Sequence, residues 1–246
     1  MEELRMSPTL LPQCVLLLCA MMTGYGQADP LHSPHRTDPA TGVPAGRARS
    51  EPLDGAAQPE GKSHGGPVIL QSFPEDPRLF TIDLRDHVTE ILRRHGHGEW
   101  RATVLTNEIH QHLGIYSILG AKMGLRAREL LQAGMDDIRV VSRAGSQPPL
   151  SCLNDGLQIS TGATLGQGTI SLSPDSGKRA EAEFSAGGRT VGLRLKGHVR
   201  KQIDSDIAEG IRRHGNLTPA YFDYVRHLAI RYWLEMDRRE VFEAVP

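Results

Sequence analysis

Aromatic side chains make up only 5% of the 246 residues, cysteine occurs three times, and neither sign of charge dominates, with 28 Lys and Arg against 29 Asp and Glu. Each shortage excludes something. Three cysteines cannot supply the disulfide framework of a small secreted scaffold. A net charge of −1 with no long basic block leaves no electrostatic footprint for nucleic acid. No apolar run approaches the roughly 18 to 20 residues that a membrane-spanning helix needs, so no stable membrane span is expected. What remains is material for one compact domain with extra sequence attached.

The longest apolar run, Cys14 to Met22, is nine residues long and suits the core of a signal peptide. Small residues follow it, with Gly26 and Ala28 at the spacing a signal peptidase reads and Asp29 as the new N-terminus. Glu2 and Glu3 outnumber Arg5 ahead of the run, which runs against the positive start of an export signal, and translation from Met6 removes the conflict. Residues 1–28 therefore read as a signal peptide for a periplasmic or secreted protein. The competing reading is an apolar extension that stays with the domain. Leu18 is too bulky before Cys19 for a lipoprotein cleavage site. Residues 29–67 are rich in Pro, Gly, Ala, Ser and His, lack periodicity, and predict a disordered linker. Residues 68–246 are then the folded domain, large enough for a core without disulfides. After removal of Cys14 and Cys19 its one thiol is Cys152, either buried and inert or kept for ligation or reactivity.

The periodicities predict an α+β domain with an antiparallel meander and flanking helices. Leu84, Val88, Ile91 and Leu92 mark a helix over 82–94 that stops at His95-Gly-His-Gly98, with both histidines on an exposed turn. Ala102 to Leu105 reads as a short buried strand, and 106–114 as a loop or helix start. A helix follows over 115–132, in which Gly120 and Gly124 lie on one face and let another backbone or a ligand come close. A strand over 136–141 precedes three more, 169–172, 179–184 and 190–196, spaced by turn residues as in a meander. Helices over 199–213 and 219–239 close the chain. The second has Thr218 as cap, Pro219 at its first position, and an aromatic stripe facing a core or a partner.

Two segments combine chemistry-bearing residues. In an extended stretch His110 and His112 project to one side and offer two imidazole nitrogens to one metal ion, with Glu108 beside them as ligand or proton acceptor. The second segment, Ser151 to Gly168, carries Cys152, Asp155, Gln158, Thr161, Gly162 and Thr164, and its glycines beside hydroxyls suggest a turn-rich cradle for an anionic group.

Taken together, the run His110-Gln-His-Leu-Gly114 through Gly120-Ala-Lys-Met-Gly124, followed by Cys152-Leu-Asn-Asp155, Gln158 and Thr161-Gly-Ala-Thr164-Leu-Gly-Gln-Gly168, resembles the FmdE-like family, named after a component of formylmethanofuran dehydrogenase. The resemblance implies a mixed α/β domain with a metal-binding pocket and a tendency to form homodimers. It matches His110 and His112 to the family's histidine pair and Cys152, Asp155, Gln158, Thr161 and Thr164 to its second motif, which implies His110, His112 and Cys152 as metal ligands. Beside such a metal, Glu108 or Asp155 is expected as proton acceptor and Gln158, Thr161, Gly162 and Thr164 as contacts to a small-molecule ligand or metal complex. Three positions depart from the family pattern: Gly114 and Ala163 stand where cysteines are usual, and Lys122 where an arginine is. The C-terminal zinc-finger cysteines of some members are absent. A site with fewer thiolates is harder and suits a divalent transition metal, zinc first and nickel or iron next. Two functions are expected from it: a metal-dependent enzyme of hydrolytic or lyase type, or a non-catalytic periplasmic binder of metal or small ligand.

Overall fold

The structure is a computed structural model and describes residues 69–175 and 177–246. The expected signal peptide and linker at 1–67 lie outside the described residues. Within them the chain order is α1 (Ile82–Arg85), α2 (Val88–His110), α3 (Ile115–Leu131), β1 (Arg139–Ser142), α4 (Leu153–Thr161), β2 (Ile170–Leu172), β3 (Glu181–Ala186), β4 (Arg189–Leu195), α5 (Gly197–His214), α6 (Pro219–Glu235) and β5 (Phe242–Val245). These elements form the expected α+β domain, but the sheet is mixed.

Its order is β2-β1-β3-β4-β5. The 187–188 glycine turn does join β3 and β4 as an antiparallel hairpin, as its turn residues predict. The strand over 170–172, expected beside β3, pairs instead in parallel with β1, Val140 opposite Ile170. β1 occupies the place at β3's other edge, with Val140 opposite Phe184. Turn signals alone could not show this, because β1 lies far upstream and a parallel pair needs a long crossover. α4 is that crossover. β5, which no sequence pattern predicted, covers β4 at the other side.

The chain is buried from Leu113 through Gly124 without a break, so the first part of α3 lies inside the fold rather than on its surface. The sheet contributes Val140, Ala182, Phe184, Leu193 and Leu195 to the same core. The aromatic stripe of α6 is core too: Trp233 stacks on Trp100 at 5.3 Å between ring centres, and Phe80 meets Trp100 edge-on at 4.8 Å. Thr218 caps α6 as expected, its hydroxyl accepting from the Tyr221 N–H.

The expected strand over 102–105 is part of α2. Thr106 donates to the Ala102 carbonyl and Asn107 to that of Thr103, so residues that usually compete with a helix are satisfied within one, and Ala102, Thr103 and Thr106 turn inward at helical spacing. The glycine stop at 96 is real, with φ of 80°, but helix resumes at once and the stop becomes a kink. His95 is buried at this kink, contrary to the exposed turn expected for it, and Nε2 bonds the Leu234 carbonyl at 3.1 Å. His97 is exposed and pairs with Glu75.

Lys122, fully buried in α3, donates to Glu99 at 2.5 Å and to the Met236 carbonyl at 2.7 Å. Arg238 binds the other Glu99 oxygen at 3.0 Å and reaches Glu129 at 2.7 Å. Burial pushes the Lys122 ammonium's pKa down, and Glu99 opposes that shift. The network ties α2, α3 and the end of α6 together.

α3 and α4 touch backbone to backbone. A methyl group at Gly120 would lie 2.1 Å from the Leu153 carbonyl oxygen, and one at Gly156 would lie 2.2 Å from that of Ser117. Gly120→Ala and Gly156→Ala should each cost about 3 kcal/mol or more, since neither backbone can yield without moving its helix. Gly98→Ala, where a methyl meets nothing within 4 Å, should be neutral or stabilising by about 0.5–1 kcal/mol. Urea denaturation of the three variants checks this; equal effects at 98 and 156 would contradict the close contact.

Candidate functional site

His110 is the last residue of α2, and Gln111 after it adopts a left-handed backbone with φ of 63°. That single turn, not an extended strand, brings His112 back beside His110, with ring centres 4.1 Å apart. The expected pairing of the two rings therefore holds, by a different local geometry. The corner is pinned by Asn107, whose Oδ1 accepts from the Gly114 N–H at 3.0 Å and from the Ser117 hydroxyl at 2.7 Å. Its amide nitrogen is committed to the Thr103 carbonyl, which fixes which end of the side chain faces the corner.

The crossover helix approaches from the other side. Ser151 to Thr161, expected as turn-rich sheet, is a short 3-10 turn followed by α4, with Cys152 at its N-terminal boundary and Asp155 in its first turn. Asp155 Oδ2 lies 2.8 Å from His110 Nδ1. A neutral imidazole facing a carboxylate carries its proton on that nitrogen, which leaves a lone pair on Nε2. Nε2 is buried and has no hydrogen-bond partner. A side chain at Gly114 would begin 3.3 Å from it and 2.9 Å from Ser117 Oγ, so the position where the family resemblance implies a cysteine packs directly beside this lone pair.

His110 and Cys152 line two cavities. One, of about 240 Å³, also includes His112 and is walled by apolar side chains from α3, α5 and α6; the other, of about 360 Å³, adds Asp155, Asn154 and Gln158. Burial raises the Cys152 thiol's pKa, and the Asp155 charge adds to the effect, so the free thiol is kept protonated. His112 stands at the mouth, its ring edge-to-face with Phe222 at 5.7 Å. Partial desolvation and the neighbouring His110 lower its pKa.

The structure thus gathers His110, His112, Cys152 and Asp155, with Gln158 at the edge. Among the described residues no three His, Cys, Asp or Glu side chains are already disposed as a metal-ligand set. Glu108 is exposed on α2 and lines a different cavity, with His112 and Arg226 but without His110 or Cys152. Thr161, Gly162 and Thr164 form the turn after α4 and spend their hydrogen bonds there. Thr161 Oγ1 accepts from the Ala163 N–H, Thr164 Oγ1 from that of Gln167, and Gln158 Oε1 from that of Leu165. The N–H groups of 162, 168 and 169 bond carbonyls of the same segment, and that of Thr164 bonds Thr169 Oγ1. Gly162 and Thr164 open onto a separate cavity with Arg101 and Arg128.

Sequence reasoning missed Asn107, Tyr221 and Phe222. A poor helix former eight residues ahead of a helix start was the available signal for Asn107; nothing local linked α6 to the histidines.

The tautomers give a direct check. Long-range ¹H–¹⁵N spectra at pH 8 should show His110 with its proton on Nδ1 and His95, whose Nε2 faces a carbonyl, with its proton on Nε2. Asp155→Asn should loosen the His110 preference and leave His95 unchanged. A His110 protonated on Nε2 in the wild type would contradict the arrangement.

No curated protein matches the sequence. Among protein families, residues 109–243 match the model described as FmdE, molybdenum formylmethanofuran dehydrogenase operon. The match begins one residue before His110, takes in Cys152 and Asp155, and continues through α6. It covers more than half of the chain, and the protein belongs to the FmdE family.

Proposed function

We propose that this FmdE-family protein is exported and binds one divalent transition metal at His110, zinc in preference to nickel or iron. The observation that carries the reading is the buried, unpartnered Nε2 of His110 with Nδ1 engaged by Asp155. Metal-ligating histidines characteristically have a carboxylate on the other ring nitrogen, which sets the tautomer and raises the basicity of the ligand. An apolar or structural role would leave that lone pair buried at a cost. His112 and Cys152 are the further protein ligands in this proposal, and both turn toward Nε2 on binding, because no three groups converge beforehand. Coordination supplies the driving force that holds Cys152 as thiolate against burial and Asp155. Positions not filled by protein are left to water or to a bound ligand.

When bound, the ion supplies Lewis acidity and a more acidic water. The residues around it do little of the proton transfer that an enzyme needs. Asp155 is committed to His110, and Glu108 faces another cavity. That placement favours the second reading, a non-catalytic binder of metal or of a metal complex, over the hydrolytic or lyase reaction. The remaining parts of the proposal are a signal peptide over 1–28, a linker over 29–67, the domain over 68–246, and the homodimer that the family resemblance implies.

Elemental analysis of the untagged protein, supplied with zinc, nickel and iron, should find about one equivalent of metal. His110→Ala and Cys152→Ser should lose it, and Asp155→Asn should weaken it about 10- to 100-fold while the fold persists. A folded wild type that takes up none of the three metals overturns the metal reading. Intact mass of the exported protein should correspond to a chain beginning at Asp29; a mass that includes residues 1–28 would count against the signal peptide.

A further inference from the structure

The apolar cavity beside the histidines has more room and more hydrocarbon than a metal ion uses. Ile115, Tyr116, Tyr221, Phe222 and Val225 form much of its wall, and Cys152 and His110 stand at one side of it. No Lys, Arg, Asp or Glu lines it. Tyr116, the most buried of its aromatic residues, directs its hydroxyl to Asp204 at 3.4 Å, so that group is already engaged. A buried charge without a partner is strongly disfavoured, so the body of any occupant must be uncharged. The volume of about 240 Å³ exceeds the roughly 150 Å³ of an apolar cavity that admits benzene. Among the side chains of the lining residues, the one buried polar atom without a hydrogen-bond partner is His110 Nε2.

We propose that this cavity receives the apolar body of a small uncharged ligand, a ring or a branched hydrocarbon of about six to ten heavy atoms, whose single nitrogen or oxygen donor meets the site at His110. The inference rests on the metal reading for the donor, which binds the ion held at Nε2. It does not rest on that reading for the apolar body, which the walls select whether or not metal is present. The mouth, where Leu217 and Phe222 are exposed, is the way in.

Calorimetric titration of the full untagged chain, zinc-loaded and metal-free, with 4-phenylimidazole and with imidazole tests the assignment. The two probes share a donor and differ by a phenyl ring. 4-Phenylimidazole should bind at least tenfold more tightly than imidazole in both states, and zinc should strengthen both. Val225→Trp, which fills the cavity, should bring the ratio near one with zinc content unchanged. Phe222→Ala, at the exposed mouth, should lower the ratio several-fold and serves if the tryptophan variant does not fold. Equal affinities for the two probes in the wild type overturn the proposal and leave the metal reading intact. A wild type that takes up neither zinc, nickel nor iron yet keeps the tenfold preference overturns the metal reading and supports the cavity. A preference that survives both substitutions in folded protein, or that vanishes as the protein dimerises with rising concentration, places the ring elsewhere or the mouth under a second copy, and either overturns it.

Discussion

The direct contact between the backbones of α3 and α4 is the constraint on which the rest of this structure depends. Ordinary helix pairs are held 8 to 10 Å apart by their side chains, and here Gly120 and Gly156 remove the side chains at the crossing point. α4 can therefore lie deep enough for Asp155 to reach His110 across 2.8 Å. The same depth presents Cys152 to both cavities and places β2 against β1. A methyl group at the crossing would move every one of these groups together, so sheet register and site geometry are set by one packing decision.

The buried ion network does complementary work on the opposite flank of α3. Lys122 sits where a purely apolar residue would pack with less desolvation, and its three acceptors come from α2 and the end of α6. Buried ion pairs are weak sources of net stability but strict about geometry, because any mismatch strands a charge. α3 is thus located twice, by steric contact toward α4 and by directional bonds toward α2 and α6. A lysine can fill the place where the family resemblance implies an arginine because its ammonium finds two backbone carbonyls as well as Glu99, with no need for a bidentate fork.

The parts legible in the sequence were those written in short-range chemistry. The α3 boundary at Ile115, the Thr218 cap, the β3–β4 hairpin and the close approach at Gly120 each depend on a few neighbouring residues. The pairing of His110 with His112 was also anticipated, though from a strand geometry that the left-handed Gln111 replaces. What escaped depends on distance along the chain. The Ala102 to Leu105 stretch is apolar and β-branched enough to read as strand, whereas in the fold it is helix, with Ala102, Thr103 and Thr106 buried along one face. The turn after α4 has the composition of an anion cradle, but Thr161, Thr164 and Gln158 bind the turn itself, which composition cannot reveal. Asp155 was one of two candidate proton acceptors in the sequence; the fold sets it against His110 Nδ1 and leaves Glu108 lining another cavity.

The parallel pairing of β1 and β2 bears on the order in which the protein can assemble. Such a pair closes only after its crossover has docked, and the bond between His110 and Asp155 joins residues 45 apart. The ligand geometry at His110 therefore does not exist in a chain whose crossover is still loose. On the proposed reading the chain is exported, and before its crossover docks it would carry only ordinary, scattered imidazoles and a thiol. Capture of the proposed ion would then begin only when the fold completes, and the compartment in which folding finishes would decide which metals compete for the site.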